Sequence, residues 1–248
     1  MRKFIDANIS TCRSINRILA PEWRTDGNYW FQQNILVGGF DGADVVYDLG
    51  GGSRPWFTPE AKESLGLKVI GLDIDAAELR AAPKGSYDEI IAADLCSFVG
   101  DGTADKVICQ ATLEHVPDAD GALRAISTVL KHGGKAYVFA PCRNAIFARL
   151  NRLIRQDLKR GILASIFPYA REGHDGFHAT YDRCTPKQIE ALALAHGLRV
   201  QFRKIFWASG YFYAFVPAYL AWRGVQRIAR AAKGDEACES FCFVFQKD

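Results

Sequence analysis

The chain of 248 residues is 49% hydrophobic and 24% charged, which provides material for one large core and excludes a disordered chain. Its formal net charge of +3 is too small to predict a polyelectrolyte partner. The seven cysteines include no Cys-x-x-Cys pair, which predicts reduced thiols in a cytoplasmic protein and no zinc site. We expect neither a signal peptide nor a run of about 18 apolar residues that could span a membrane.

Apolar runs alternate with helical patterns from residue 45 onward. Nearly continuous apolar strands separated by helices predict a parallel sheet covered on both faces, so the fold class is a doubly wound α/β sheet. The predicted strands are 45–49, 68–73, 89–94, 105–110 and 135–140. The predicted helices are 58–65, 75–82 and 118–131, the last of which is expected to end at Gly133 and Gly134.

The pattern changes after the fifth strand, where a basic amphipathic segment at 144–160 leads into a loop rich in Gly and His. A helix begins after Thr185, and two more strands, 198–207 and 240–247, flank an aromatic and basic stretch at 211–231. The predicted organisation is an N-terminal helical cap at 1–40 and one domain at 41–248, with insertions at about 144–184 and 208–238.

Acidic residues stand at the ends of three successive strands, next to a glycine loop that reads DLGGGS (48–53). Glycine lets the backbone of such a loop approach a ligand closely. Asp73 ends the second strand and Asp94 follows the third, where carboxylates can accept from a ribose diol and from an adenine amino group. Each feature alone also fits a tight turn, a solvated acid or a helix cap. Together they predict a pocket for an adenosine that carries no phosphate.

Pro55 argues against a dinucleotide in this pocket. A pyrophosphate needs a helix N-terminus directly behind the glycine loop, and a third glycine lets that helix pack closely. Pro55 occupies the position of the third glycine, and the chain has no Tyr-x-x-x-Lys pair. An NAD(P)-dependent oxidoreductase is therefore kept only as the alternative function.

Five motifs between residues 45 and 141 resemble, in order and spacing, those of the class I S-adenosylmethionine-dependent methyltransferases. The motifs are DLGGG (48–52), GLDID (71–75), AADL (92–95), ATLEHVPD (111–118) and LKHGGKAYVFAP (130–141). More loosely, 174–198 resembles a segment of members that accompany glycan and lipid biosynthesis. The resemblance implies a Rossmann-like methyltransferase fold with helical insertions, whose seven-stranded sheet has the order 3-2-1-4-5-7-6 with strand 7 antiparallel.

The resemblance also implies which residues would bind S-adenosylmethionine. The glycine loop and Gln110 would contact its methionine part, with Asp48 near the ammonium group. Asp73 would bind the ribose hydroxyls, and the adenine would lie between Ile74 and the pair 94–95. The cofactor-binding residues expected from the resemblance are Asp48, Gly50, Gly51, Gly52, Ser53, Asp73, Ile74, Asp94, Leu95 and Gln110.

The sulfonium of this cofactor is an activated methyl donor, so the protein mainly positions the acceptor and, where needed, removes a proton from it. His115 follows the fourth strand near the pocket mouth and is the first candidate base. His174, His178 and Tyr181 lie in the loop that should cover the acceptor, and each of these residues fits a structural role equally well. His115 and Glu114 could ligate a metal, but the sequence shows no third ligand at a spacing typical of a metal site, so we expect no metal.

The acceptor is predicted to be a small molecule, a glycan or a lipid-linked compound. In 211–231, aromatic residues lead into Arg223, Arg227 and Arg230 on one helical face, which is typical of a helix at an anionic membrane, a lid or a dimer contact. We therefore expect a cytoplasmic protein that contacts the membrane peripherally through this stretch. Nucleic acid is not expected, because QATL replaces the Asn/Asp-Pro-Pro-aromatic motif of base methyltransferases. A non-catalytic cofactor-binding protein remains an alternative, and the methylated atom and the oligomeric state stay open.

Overall fold

A mixed sheet of seven strands forms the centre of the protein in a computed structural model, which describes residues 2–34, 39–40, 45–153, 179–210 and 212–248. The strands are β1 (Val45–Leu49), β2 (Lys68–Asp73), β3 (Glu89–Ala92), β4 (Ala104–Gln110), β5 (Leu130–Pro141), β6 (Leu198–Phe206) and β7 (Ser240–Lys247). Their order across the sheet is β3-β2-β1-β4-β5-β7-β6, and β7 is antiparallel to both of its neighbours. The predicted fold class and sheet order are confirmed.

Helices precede the sheet and connect its strands. They are α1 (Arg2–Arg17), α2 (Pro21–Arg24), α3 (Gly27–Asn34), α4 (Pro59–Leu65), α5 (Ala76–Ala81), α6 (Ala119–Val129), α7 (Ile146–Leu153), α8 (Pro186–Ala195) and α9 (Val216–Lys233), with a short 3-10 helix at Gly234–Ala237. Among the described residues, no helix combines the length and the hydropathy that crossing a membrane requires.

Alternate residues of the central strands enter two hydrophobic clusters, one on each face of the sheet. In β2, Ile70 and Leu72 join the larger cluster, to which α6 and α8 also contribute. Val69, which precedes Ile70 in sequence and points to the other face, joins the cluster that contains Phe31 of α3. Because both faces are covered, the strands read as continuous apolar runs rather than as an alternating pattern.

The boundary between α6 and β5 differs from the sequence prediction. The helix ends at Val129, and Leu130 already pairs with Ala104 of β4 as the first residue of β5. Gly133 and Gly134 therefore lie within β5 and do not end the helix, because pairing with β4 prevails over the local capping signal. The predicted helix at 144–160 is seen as α7 up to Leu153, and the rest of it lies outside the described residues.

Helix α3 lies over the carboxyl ends of the parallel strands. Its Phe31 packs edge-on against Trp56, which follows the glycine loop, at 5.9 Å between ring centroids, and against Phe139 of β5 at 5.6 Å. At the start of α3, a Cβ on Gly27 would lie 2.7 Å from the Phe206 ring, so only glycine allows this approach. The N-terminal helices thus border the edge of the sheet at which the predicted site residues lie.

Candidate functional site

The predicted cofactor residues come together at the carboxyl ends of β1, β2 and β4. Asp48 lies one residue before the end of β1, Asp73 is the last residue of β2, and Gln110 is the last residue of β4. The backbone N–H of Gly50 donates to the Leu72 carbonyl at 2.7 Å, which fixes the loop after β1 to the end of β2. Residues that are far apart in the sequence therefore share one edge of the sheet.

Close packing inside the protein explains why Gly50 and Gly51 are glycines. Gly50 has a φ of 74°, and a Cβ there would lie 2.4 Å from Thr112 Oγ1. A Cβ on Gly51 would lie 2.5 Å from both Asp48 Oδ2 and the Tyr87 hydroxyl oxygen. These two glycines are needed for the loop to fold, whatever it binds.

Gly52 brings the loop backbone close to the Asp73 carboxylate. Its φ is 50°, and a Cβ there would come 3.3 Å from Asp73 Oδ2. The loop continues through the half-buried Ser53, and α4 does not begin until Pro59. No helix therefore starts directly behind the glycines, which agrees with the argument from Pro55 against a bound pyrophosphate.

The Asp48 carboxylate is buried beneath the glycine loop. Its Oδ2 accepts hydrogen bonds from the Trp56 backbone N–H at 3.0 Å and from the Tyr87 hydroxyl at 3.4 Å. Burial raises the pKa of Asp48 to about 7, although both hydrogen bonds act to lower it. A cation bound beside Asp48 would therefore favour its charged form at neutral pH.

Asp73 and Ile74 form a polar and apolar pair at the end of β2. The Oδ1 atom of Asp73 accepts from the Asp75 backbone N–H at 2.9 Å. Burial raises the pKa of Asp73, and the charges of Asp75 and Glu78 raise it further. The Ile74 side chain is 62% exposed and offers an apolar surface beside the carboxylate.

Asp94, Leu95 and Gln110 each have an internal contact. Asp94 Oδ1 accepts from the Cys96 backbone N–H at 2.9 Å within a turn, and it does not cap a helix, because none begins between β3 and β4. Leu95 is buried in the larger hydrophobic cluster. The Gln110 side-chain amide donates to Asn28 Oδ1 of α3, a contact that sequence reasoning missed because α3 carries no recognisable motif.

His115 lies in the turn after β4, next to a buried acid that was not among the predicted site residues. Its side chain is 34% exposed, and Nε2 is 3.8 Å from Glu114 Oε1. The Oε2 atom of Glu114 has no hydrogen-bond partner among the residues that the structure describes. Burial raises the pKa of Glu114 to about 8, so this carboxyl group is largely protonated at neutral pH.

Tyr181 lies behind this turn, with its side chain in the larger hydrophobic cluster and only 3% exposed. Its backbone N–H donates to the Glu114 carbonyl at 2.9 Å, and the Thr180 hydroxyl donates to the Val116 carbonyl at 2.5 Å. These bonds attach the chain after residue 178 to the turn after β4. The structure therefore places Tyr181 in the core rather than in an open loop.

The other two candidates in this loop, His174 and His178, lie outside the described residues. Within the described ranges, no group of three or more His, Cys, Asp or Glu side chains is arranged to hold a metal ion. Of the predicted bases, His115 is the one that the structure places, partly exposed, at the carboxyl edge of the sheet.

The stretch 211–231, described from residue 212 onward, forms much of α9, and its aromatic side chains turn largely inward. Tyr219 and Trp222 are buried in a cluster with Cys12 of α1. Arg223 is only 8% exposed and donates to Asn16 Oδ1 of α1 at 2.6 Å. The prediction that Arg223 belongs to an exposed basic face is wrong, because polar groups from distant segments enclose it.

A family model described as a methyltransferase domain matches residues 47–138, which include the glycine loop and all of β2, β3 and β4. A curated relative, the ubiquinone biosynthesis O-methyltransferase of Colwellia psychrerythraea, is 31% identical over an alignment of 184 residues that covers 66% of this chain and 67% of the relative. The chain belongs to the class I S-adenosylmethionine-dependent methyltransferases. It covers 45–64% of the length of further curated relatives that have the same name.

Solved methyltransferase structures share the fold of this methyltransferase at low sequence identity. An S-adenosylmethionine-dependent methyltransferase from Methanosarcina mazei matches with a TM-score of 0.52 at 18% identity, over 86% of this chain and 96% of that chain. Phosphoethanolamine N-methyltransferase 2 from Haemonchus contortus, solved in complex with S-adenosyl-L-methionine, matches with a TM-score of 0.52 at 15% identity, over 96% of this chain and 57% of that chain. Family membership makes S-adenosylmethionine the cofactor and decides against the NAD(P)-dependent alternative.

Proposed function

We propose that this methyltransferase transfers a methyl group from S-adenosylmethionine to an oxygen atom of a small-molecule acceptor. The observation that carries the proposal is the close approach of the Gly52 backbone to the buried Asp73 carboxylate, which the absence of a side chain at position 52 allows. The bound cofactor supplies a methyl group activated by its sulfonium. Oxygen is proposed as the acceptor atom because the curated relatives are named O-methyltransferases.

In this proposal Asp73 binds the ribose through Oδ2, since Oδ1 is held by a backbone N–H. The exposed Ile74 side chain covers one face of the adenine. The second carboxylate oxygen of Asp94 accepts from the adenine amino group, and Leu95 supports this segment from the core. The arrangement suits an adenosine because a carboxylate at the ribose position would repel a phosphate there.

The methionine part of the cofactor is assigned to the loop at 50–53 and to Gln110. Asp48 lies directly beneath this loop, where its charged form would balance the ammonium group. Gln110 is tied to α3 through Asn28, so the N-terminal helices would help to close the site. These side chains bind and orient, and none of them has to change covalently.

We assign proton removal from the acceptor to His115. Its imidazole is partly exposed, whereas the neighbouring Glu114 is buried and Tyr181 lies in the core. A base must reach the acceptor hydroxyl within hydrogen-bonding distance, which requires an accessible side chain. Accessibility therefore favours His115 over the other described candidates.

The cofactor assignment is tested by calorimetric titration of the protein with S-adenosylmethionine and with NAD. We expect binding of S-adenosylmethionine alone. Asp73→Ala should weaken it by roughly 1–3 kcal/mol, because the ribose hydroxyls lose a buried acceptor. The control is Asp101→Ala, in the loop before β4 at the opposite edge of the sheet, which should leave the affinity unchanged. Binding of NAD alone, or an unchanged affinity after Asp73→Ala, would contradict the assignment.

The acceptor is tested with a panel of small hydroxylated aromatic compounds, the same compounds with a lipid tail, glycans and amines. Methylated products are identified by mass and by the position of the new methyl group. We expect an O-methyl product from a hydroxylated aromatic compound. A product only from amines contradicts the oxygen assignment, and a product only from glycans or tailed compounds identifies the larger acceptor classes that the sequence left open.

We also propose that the exposed side of α9 contacts an anionic membrane. Leu220, Val225 and Ile228 are 51%, 52% and 72% exposed, and the helix contains no acidic residue. Arg227 and Lys233 are exposed on the same helix and would complement anionic lipid. Flotation with anionic and neutral vesicles tests this contact, with Ile228→Glu expected to reduce binding. Absence of binding to anionic vesicles would refute it.

A further inference from the structure

Tyr87 reaches the glycine loop from a distant part of the chain. It lies in the connection between α5 and β3, and its ring crosses β2 over Gly71. A Cβ on Gly71 would lie 2.8–2.9 Å from atoms of this ring, so the crossing requires glycine at that position. The sequence shows Gly71 within the GLDID motif, but nothing in the motif shows that a tyrosine passes over it.

The position of Tyr87 is fixed by the backbone of β2. The backbone N–H of Asp88 donates to the Val69 carbonyl at 2.8 Å, and Asp88 Oδ2 accepts from the Val69 N–H at 2.7 Å. Asp88 also pairs with Lys62 of α4 at 2.6 Å. These contacts attach Asp88 to β2 and to α4. The ring of the neighbouring Tyr87 is therefore placed over β2 without help from a ligand.

The Tyr87 hydroxyl lies between two parts of the glycine loop. Its oxygen is 3.2 Å from the Gly52 carbonyl oxygen and 3.4 Å from Asp48 Oδ2. A hydroxyl carries one proton, so Tyr87 shares this proton between the two acceptors. Burial and the adjacent Asp48 carboxylate raise the pKa of Tyr87, which keeps the hydroxyl protonated and able to donate.

We propose that Tyr87 is a positioning residue for the cofactor. The Tyr87 hydroxyl ties the Gly52 carbonyl to the Asp48 carboxylate and so holds the glycine loop in the conformation that binds the cofactor. The inference rests on the proposed function, because it takes the loop as the site of the methionine part. Tyr87 acts in two ways: it fixes the backbone at Gly52, and it stabilises the charged form of Asp48. Neither effect requires Tyr87 to touch the cofactor.

If Tyr87 stabilises the charge of Asp48, its removal changes the pH dependence of cofactor binding. Removal of a tyrosine with only a packing role would not. Asp48 is faced by the Trp56 N–H and the Tyr87 hydroxyl, which favour its charged form, and by Asp73 of β2, which opposes it. The neighbouring Cys109 thiol of β4 is neutral, because burial raises its pKa. A cation binds the charged form of Asp48, so affinity rises with pH through the pKa of this group, and loss of the Tyr87 bond moves that rise to higher pH.

The test compares Tyr87→Phe with the natural protein by calorimetric titration with S-adenosylmethionine between about pH 5.5 and about pH 9. We expect Tyr87→Phe to weaken binding roughly 5- to 30-fold at neutral pH and to shift the rise in affinity to higher pH. Titration of the cofactor itself is common to both proteins and cancels in the comparison. Tyr137→Phe is the matched control, because it also removes one hydroxyl that donates to a glycine carbonyl, that of Gly39 at 3.2 Å. This control should change neither the affinity nor the pH profile.

Gly71→Ala provides a second variant, which keeps the hydroxyl but displaces the ring, and it decides the question if Tyr87→Phe does not fold. We expect Gly71→Ala to weaken binding as well, with no further loss when it is combined with Tyr87→Phe. If the natural protein binds no S-adenosylmethionine, the proposed function itself fails. If it binds and Tyr87→Phe keeps the same affinity and pH profile, or if the two losses simply add, the role of Tyr87 is overturned.

Discussion

His115 and Glu114 are neighbours in the turn after β4 but have opposite environments. The His115 side chain is 34% exposed, whereas the Glu114 side chain is 6% exposed. Burial raises the pKa of Glu114 to about 8, so a carboxyl group that is protonated at neutral pH stands beside the imidazole. Because that carboxyl group already carries its proton, we propose the imidazole as the group in this turn that takes a proton from the acceptor.

His115→Ala should lower kcat roughly 100- to 10,000-fold and leave the affinity for S-adenosylmethionine nearly unchanged, because a general base acts on the acceptor alone. The measurement is turnover with the acceptor found by the panel, alongside calorimetric titration of the cofactor. His132→Ala is the control, since His132 lies near the start of β5 beside the Asp248 carbonyl, away from the carboxyl edge. Full turnover by His115→Ala would remove this residue from the base role.

Single residues at strand ends could be predicted from the sequence, whereas their partners could not. Asp73 and Gln110 follow apolar runs, and the end of such a run marks the edge of the sheet. Tyr87 was missed because its contact with Gly71 depends on how the connection before β3 lies across β2. The burial of Tyr181 was missed because its neighbours in sequence are polar.

At the level of elements, a buried polar network joins α9 to the N-terminal helices. Arg223 donates to Asn16 Oδ1 of α1 at 2.6 Å, to the Trp23 carbonyl at 2.7 Å and to the Trp207 carbonyl at 2.9 Å. The Arg223 charge favours the charged form of the nearby Glu239 carboxylate, which accepts from a tryptophan N–H of α9. Arg223 therefore joins α9 to α1, to α2 and to the residue that follows β6.

Replacing Arg223 with methionine should lower the free energy of unfolding by roughly 3–5 kcal/mol, because Asn16 and Glu239 would stay buried without their cationic partner. Urea denaturation measures this loss. Arg227→Met, on the exposed side of the same helix, is the matched control and should change the stability by no more than about 0.5 kcal/mol. Equal stability of the two variants would show that apolar packing alone holds α9.

Helical periodicity correctly placed Arg223, Arg227 and Arg230 near one another but could not show which of them is buried. Arg223 is the buried one because it contacts Asn16 of α1 and Trp207, the residue that follows β6. The boundary between α6 and β5 was missed for a similar reason, because pairing with β4 is a non-local contact. Local patterns thus predicted whether each of these segments is a helix or a strand, but they did not predict which other segments it contacts.

At the scale of the whole molecule, the sheet could be predicted because one stretch, 45–141, carries both the strand pattern and the motifs of the family. The contacts around the predicted site could not be predicted, because they join residues of 45–141 to segments outside this stretch. Gln110 with Asn28 and Glu114 with Tyr181 are two such contacts. The strand ends that carry the predicted cofactor residues could therefore be located from the sequence, whereas these non-local contacts could not.

Three of the buried acids that the structure describes respond to pH in the same direction. Burial raises the pKa of Asp48 to about 7, that of Glu114 to about 8 and that of Glu239 to about 7. In the unfolded chain these groups ionise near their usual values of 3.8 for Asp and 4.5 for Glu. Between the two sets of values the folded protein binds more protons than the unfolded chain, so its stability falls as pH rises.

The free energy of unfolding should therefore be lower at about pH 8.5 than at about pH 6, and Glu114→Gln should remove roughly 1–3 kcal/mol of this difference. Glutamine has nearly the same shape as protonated glutamate and cannot ionise, so the variant keeps the packing and loses the titration. Urea denaturation at the two pH values measures the effect, and Glu63→Gln, exposed on α4, is the control that should keep the full difference. A stability that is flat or rises over this range would show that these carboxyl groups are already ionised in the folded protein.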